Sequence, residues 1–166
     1  MLPVALIAAF FLTAFTAARA GRLFRCVRGG HMAAMAAQAP NDPRFQPGFE
    51  RVDASVCAVI CLNAYYGYLD NGKKLPSSPE AHLHPDTPPL FMAHGDNDTA
   101  VLIEGARHFA ERLQHVSSNP VVYVELAGAQ HAFDLFHSLR FETVVNAVEV
   151  FAAWVRSTQV GSQATS

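Results

Sequence analysis

Charge is scarce in this chain, and the charge that is present forms no run of one sign. Only 16% of the 166 residues are Asp, Glu, Lys or Arg, and the formal net charge is −2. A basic surface that would neutralise nucleic-acid phosphates is therefore not predicted. Because 51% of the residues are hydrophobic, the composition excludes a disordered chain and favours one domain with a buried core.

Cysteine is also rare, with residues at positions 26, 57 and 61 only. An odd number of cysteines without regular spacing does not indicate a disulfide framework. Cys57 and Cys61 lie in an apolar run, where a thiol usually behaves as a small buried hydrophobic group. We therefore expect structural cysteines that share one side of a strand.

The N-terminal segment has no charged residue between Leu2 and Ala18, and no Lys or Arg precedes this apolar run. Residues 18–20 have the small-x-small form of a cleavage site, yet a secretory signal normally begins with positive charge. The run is also slightly short for a membrane span. We treat residues 1–28 as an atypical apolar segment with a weak signal-like or membrane-associating character, and we favour a cytoplasmic location.

Apolar runs of strand length alternate with helical patterns over the rest of the chain. This alternation predicts an α/β domain over residues 29–157, with a parallel sheet of about three or four strands, flanking helices and right-handed crossovers. The predicted strands are 55–62, 89–94 and 121–126. The first predicted helix begins after Gly30, and the other two cover 101–116 and 138–156. Residues 158–166 are predicted to form a polar tail.

Two loops that follow predicted strands carry residues suited to catalysis. HGDND, with Asp98, follows the second strand, and GAQHAF, with His131, follows the third. Ligands of open α/β sheets bind outside the carboxyl ends of the strands, where these loops meet. A carboxylate that orients an imidazole is the second half of a Ser-His-Asp triad, and the chain order acid–histidine agrees with that arrangement.

The stretch RCVRGGHMAA forms a junction between a short apolar segment and an alanine-rich helical pattern. Enzymes place nucleophiles at such junctions, because the turn exposes a side chain beside free helix N–H groups. No serine, threonine or aspartate stands in this stretch, so the sequence leaves open whether the junction carries chemistry.

With these motifs, the chain resembles the C-terminal half of the α/β-hydrolase esterases and lipases, in the hormone-sensitive-lipase-like carboxylesterase group. The matching stretches are GGHMAAMAA, NDPRFQPGFE, AYYGYLD, PPLFMAHGDNDTAV, NPVVYVELAGAQHAF and VEVFAAWVRS. The resemblance implies a partial α/β-hydrolase fold and carboxylic-ester hydrolysis, with Asp98 as the triad acid and His131 as the triad histidine. It implies a small ester or lipid-like substrate, and we expect no cofactor and no metal.

The chain departs from the family pattern at the nucleophile. Aligning Gly29-Gly30-His31 with the G-x-S-A-G-G-H elbow of the family places Val27 at the serine position. Valine has neither hydroxyl nor thiol and cannot form an acyl-enzyme. The HGGG oxyanion segment and the strands that precede the elbow are also absent. Two hypotheses follow: an ester hydrolase by descent, or a truncated, catalytically inactive pseudo-enzyme.

Two alternative chemistries are less well supported by the pattern. Cys26 adjoins the serine position, but adjacent residues of an extended segment point to opposite faces, so we do not expect it to act as the nucleophile. Histidines and carboxylates are suitable metal ligands, but their spacing matches no standard site. The residues considered for such a site are His82, His84, His94, Asp96 and Asp98.

The small number of predicted strands has a consequence for solubility. The strand at 55–62 lacks a neighbour on one side unless residues 23–27 or the N-terminal run pair with it. An uncovered apolar edge promotes association with other chains. The sequence therefore predicts self-association through an exposed sheet edge and no nucleic-acid partner.

Overall fold

Four strands and three α-helices form the part of the chain that the computed structural model describes, which is residues 23–26, 30–67 and 75–163. The strands are β1 (Leu23–Cys26), β2 (Ala58–Leu62), β3 (Leu90–Gly95) and β4 (Val121–Leu126). The helices are α1 (Gly30–Gln38), α2 (Ile103–Val116) and α3 (Leu139–Gln163), and 3-10 turns lie at Pro43–Phe45 and Pro79–His82.

The strands form one parallel sheet in the order β1-β2-β3-β4. This confirms the predicted α/β class and the parallel sheet of three or four strands. The fourth strand is β1, which pairs with β2 along the side where the sequence alone leaves β2 without an assigned neighbour. Because all four strands run in the same direction, the segments that follow β1, β2, β3 and β4 all begin at one edge of the sheet.

Helices cover both faces of the sheet, and each face has its own core cluster. In β2, Val59 and Cys61 pack on the side of α1 and α2, whereas Ile60 and Leu62 pack on the side of α3. Burial on both faces explains why the strands are continuous apolar runs rather than alternating ones. Cys61 is buried as predicted, while Cys57 precedes the strand and is only half-buried.

Several predicted boundaries differ from the structure, three of them by two residues or more. The strand predicted at 55–62 begins at Ala58, and the helix predicted at 101–116 begins at Ile103. The carboxylate of Asp98 accepts hydrogen bonds from the backbone of Ala100 and Val101, which keeps these residues in a loop. Helix α3 continues beyond the predicted end at Arg156 to Gln163, through much of the predicted polar tail, because a glycine lowers helix stability without stopping the helix.

A buried carboxylate ties the segment after β2 to helix α2. Glu80, in the second 3-10 turn, is 7% exposed and accepts hydrogen bonds from His108 at 3.0 Å and from Arg112. Its backbone N–H donates to the carbonyl of Tyr66 at 3.3 Å. These contacts hold the long connection between β2 and β3 against the same face of the sheet that α2 covers.

The N-terminal apolar segment lies largely outside the described residues, which begin at Leu23. The signal-like character of that segment therefore stays a prediction. Of the helices that the structure describes, none combines the length and the apolar composition needed to cross a membrane.

Candidate active site

The first component of the site is the acid loop, residues 96–101, which follows β3. Asp98 is 4% exposed, and its Oδ1 accepts hydrogen bonds from the backbone N–H groups of Ala100 at 2.9 Å and Val101 at 2.8 Å. These two bonds fix the orientation of the carboxylate and leave Oδ2 for another donor. The turn thus presents one carboxylate oxygen at the carboxyl edge of the sheet.

The second component is the histidine loop, residues 127–134, which follows β4. Nδ1 of His131 lies 2.7 Å from Oδ2 of Asp98, although 33 residues separate the two in sequence. A carboxylate oxygen only accepts, so Nδ1 carries a hydrogen, and in a neutral imidazole the other ring nitrogen, Nε2, is then the acceptor. The side chain of His131 is 41% exposed, so it is accessible from solvent. The structure thus brings together the two residues that the sequence singled out, while their catalytic role stays a prediction.

Direct contacts between the two loops set this geometry. Oδ1 of Asp96 accepts a hydrogen bond from the backbone N–H of Gly128 at 2.6 Å, and Asn97 N–H donates to the carbonyl of Ala129 at 3.0 Å. Gly95 allows the close approach, because a Cβ at this position would lie 2.3 Å from the carbonyl oxygen of Ala129. The loops therefore act as one unit, and Gly95 permits their packing.

The histidine loop also reaches back across the sheet toward β2. Asp134 is buried and accepts a hydrogen bond at 3.5 Å from Nδ2 of Asn63, the residue directly after β2. Strands are about 4.8 Å apart, so a loop that leaves β4 and contacts the end of β2 spans about two strand spacings. The histidine loop therefore runs from β4 across the end of β3 to the end of β2.

The predicted elbow lies between β1 and α1, at the same edge of the sheet. Val27, Arg28 and Gly29 fall outside the described residues, so the structure does not test Val27 as the residue at the serine position. The described part of the junction is tightly packed. A Cβ on Gly30 would lie 2.5 Å from Cβ of Ala64, and Nδ1 of His31 hydrogen-bonds the carbonyl of Tyr65 at 3.0 Å.

The residues considered as metal ligands do not all lie together: His94 contacts Asp98 at 3.3 Å, whereas His82 and His84 have other partners. His82 hydrogen-bonds the carbonyl of Pro76 and His84 that of Ala37, whereas His94 lies in β3. Among residues 23–26, 30–67 and 75–163, no group of three or more His, Cys, Asp or Glu side chains is arranged to hold a metal ion. Cys26 is the last residue of β1, and the placement of its side chain is not described.

Several residues that shape the site were missed in the sequence. Asp96, Asn63 and Asp134 were assigned no part in it, although they connect the loops to each other and to β2. Asp96 was recognisable as part of HGDND, because a short polar side chain in such a turn commonly bonds to nearby backbone. For Asn63 and Asp134 no local signal exists, since their contact depends on where the histidine loop crosses the sheet.

A parallel sheet with helices on both faces, an acid after the third strand and a histidine after the fourth form the arrangement that the resemblance to α/β-hydrolase-fold esterases predicts. Comparisons with known proteins confirm the predicted resemblance to this esterase and lipase family. The chain is 40% identical over 156 residues to the probable carboxylic ester hydrolase LipM of Mycobacterium tuberculosis, with 79% of this chain and 36% of LipM covered. It is 33% identical over 162 residues to the esterase LipQ of the same organism, with 81% of this chain and 38% of LipQ covered.

Solved structures show the same relationship at the level of the fold. Esterase 2 of Thermogutta terrifontis phosphonylated by cyclosarin superposes with a TM-score of 0.67 and 25% identity, covering 76% of this chain and 51% of the esterase. No protein-family model matches the chain. The chain spans little more than a third of the length of these curated relatives and about half of the solved esterase.

Proposed function

We propose that this chain carries the acid and histidine of a carboxylic-ester hydrolase triad, in the form of Asp98 and His131. The observation that carries the proposal is the 2.7 Å hydrogen bond between Nδ1 of His131 and Oδ2 of Asp98. In this arrangement the carboxylate fixes the imidazole tautomer and stabilises the imidazolium, while Nε2 accepts the proton of a nucleophile and later donates it to the leaving group. The burial of Asp98 and the exposure of His131 suit these two roles.

The nucleophile decides whether the pair completes a catalytic cycle. With Val27 at the serine position, the chain has no hydroxyl there to attack an ester carbonyl. Removal of a triad nucleophile lowers kcat by about 10⁶. We therefore propose that the chain as it stands is a pseudo-enzyme without acyl-enzyme turnover. The alternative is an active ester hydrolase that draws on another nucleophile.

The substrate class follows from the relatives, which are named as a carboxylic ester hydrolase and esterases. We propose small or lipid-like carboxylic esters as the compounds that fit the site. A short-chain p-nitrophenyl ester is the appropriate probe, because it requires no large acyl pocket and its leaving group reports directly on cleavage.

The decisive experiment restores the nucleophile. The unmodified chain should hydrolyse p-nitrophenyl acetate at the buffer rate, and Val27→Ser should raise the rate on the order of 10-fold. This modest gain reflects acid–base assistance worth about 10²–10⁴, offset by the missing oxyanion donors, worth about 10²–10³. Addition of His131→Ala should remove the gain, whereas His115→Ala, which changes an exposed histidine of α2, should leave it unchanged.

Each outcome of this assay decides between the alternatives. Turnover by the unmodified chain that His131→Ala abolishes would show an active hydrolase and overturn the pseudo-enzyme. A Val27→Ser protein that is folded by circular dichroism and still inactive would contradict the proposed triad. A gain that persists in the His131→Ala background would remove His131 from the catalytic role.

Self-association is proposed as a second property of the chain. In the described residues β1 and β4 are the edge strands of the sheet, and an unpaired strand edge is a template for pairing with another chain. We expect light scattering coupled to size-exclusion chromatography to show a mass that rises with protein concentration. A single monomeric mass across the accessible concentration range would contradict this prediction.

A further inference from the structure

His94 occupies a position in β3 directly below the acid loop and is 1% exposed. Its Nε2 lies 2.8 Å from the carbonyl oxygen of Val101, seven residues further along the chain. A carbonyl oxygen only accepts hydrogen bonds, so Nε2 carries the hydrogen and donates it. This bond closes the acid loop around Asp98, because it joins the end of the strand to the last residue of the loop.

The same nitrogen also lies close to the carboxylate. Nε2 of His94 lies 3.3 Å from Oδ2 of Asp98, and both side chains are fully buried. Oδ2 is also the oxygen that accepts the hydrogen bond from His131. Two imidazoles therefore converge on one carboxylate oxygen, while two backbone N–H groups hold the other oxygen.

The second ring nitrogen of His94 indicates that the side chain is not merely a satisfied core residue. Its Nδ1 is buried and has no hydrogen-bond partner among the described residues. A buried polar atom without a partner opposes folding, so a position that required only packing would be better filled by an apolar side chain. The bonds of Nε2 are what the imidazole contributes at this position.

A competing partner for His94 is available on the neighbouring strand. Glu125 lies opposite His94 in the register of β3 and β4. However, both of its carboxylate oxygens accept hydrogen bonds from Arg107, at 2.7 Å each. This leaves Asp98 as the carboxylate that His94 contacts.

From this geometry we propose that His94 is a positioning residue for the proposed acid–histidine pair. Its Nε2 holds the Val101 carbonyl by a hydrogen bond and contacts Oδ2 of Asp98, so that this oxygen is kept where it meets Nδ1 of His131. This inference rests on the proposed function in one respect, because the proposed function gives Asp98 and His131 their catalytic roles. The contact between the three side chains stands independently of any turnover.

The first test uses the unmodified protein and needs no substitution. Nε2 of His94 and Nδ1 of His131 lie 3.3 Å and 2.7 Å from the same oxygen of Asp98, so their hydrogens lie close together and a nuclear Overhauser effect between them is expected. A proton on Nε2 of His94 should appear in the ¹⁵N spectrum. Two observable N–H resonances without a mutual effect, or an Nδ1–H tautomer for His94, would overturn the proposal.

The second test replaces the donor. His94→Phe fills similar space without an N–H group, and we expect the downfield Nδ1–H resonance of His131 to be lost through exchange with water. His94→Gln places an amide N–H near the position of Nε2 and should retain the resonance. As a control, His108→Phe removes a histidine of α2 that is bound to Glu80, and it should leave the His131 resonance unchanged. Retention of the resonance in folded His94→Phe would overturn the proposal.

These measurements separate this inference from the proposed function. They are made without substrate and without a nucleophile at position 27, so an inactive Val27→Ser protein does not affect them. The converse result is activity in the Val27→Ser protein together with a His131 resonance that His94→Phe leaves unchanged. That result would support the triad and overturn the role of His94.

Discussion

Gly95→Ala is expected to lower the free energy of unfolding by about 1–3 kcal/mol and to separate the acid loop from the histidine loop. The added Cβ would lie 2.3 Å from the carbonyl oxygen and 2.7 Å from the carbonyl carbon of Ala129. Because both are backbone atoms, the clash is not relieved by a side-chain rotation. The histidine loop must move away, and with it His131, which meets Asp98 at 2.7 Å.

Urea denaturation measures the loss of stability, and the Nδ1–H resonance of His131 reports the separation of the loops. Gly48→Ala is the control for the His131 resonance, which it should leave unchanged, because nothing lies within 4 Å of a Cβ at this position. Gly48 has a positive φ of 81°, so the control carries a backbone cost of about 1–2 kcal/mol without a steric clash. If Gly95→Ala retains the His131 resonance at full intensity, the close approach does not set the geometry of the pair.

Phe109→Ala is expected to lower the free energy of unfolding by about 3–5 kcal/mol. The ring is fully buried in α2 and stacks on Tyr66, with centroids 4.4 Å apart and an interplanar angle of 9°. Its removal forfeits the transfer free energy of the ring, opens a cavity and ends the aromatic contact. The cavity would adjoin the ring of Tyr66, a fully buried side chain whose burial raises the pKa of its hydroxyl well above the usual value.

The comparison for this prediction is Leu102→Ala, at the residue before α2. Leu102 is 46% exposed, and substitutions at such positions usually change stability by about 0.5 kcal/mol or less. Thermal or urea denaturation of both variants measures the difference. Equal stability losses in the two variants would show that the stacked pair does not hold α2 against the segment that follows β2.

Much of the fold could be predicted from local patterns. The strand VVYVEL was placed at residues 121–126 and is observed there, because an apolar β-branched run between Asn-Pro and a glycine has few alternatives. The boundaries that differ reflect contacts that the local pattern does not contain. Ala100 and Val101 stay out of α2 because the side chain of Asp98 binds their N–H groups.

The candidate site likewise has a part that local patterns predict and a part that only tertiary contacts decide. Asp98 and His131 were identified because each follows a predicted strand, and parallel strands bring their carboxyl ends to one edge of the sheet. The resemblance to esterases added the roles of acid and histidine. Neither source indicated that His94 faces the same carboxylate oxygen, since a histidine inside an apolar strand resembles an ordinary core residue.

The sequence by itself determined the α/β class and the order of Asp98 and His131 along the chain, and it predicts valine at the position where the family has serine. These properties depend on residue identity and on spacing along the chain, both of which are local. The tertiary structure decided which side chains meet: Asp98 with His131, His94 with Asp98, and Asp134 with Asn63. Two of these pairs are separated by more than 30 residues, and only the stacking of parallel strands and the path of the loops across them bring such residues together.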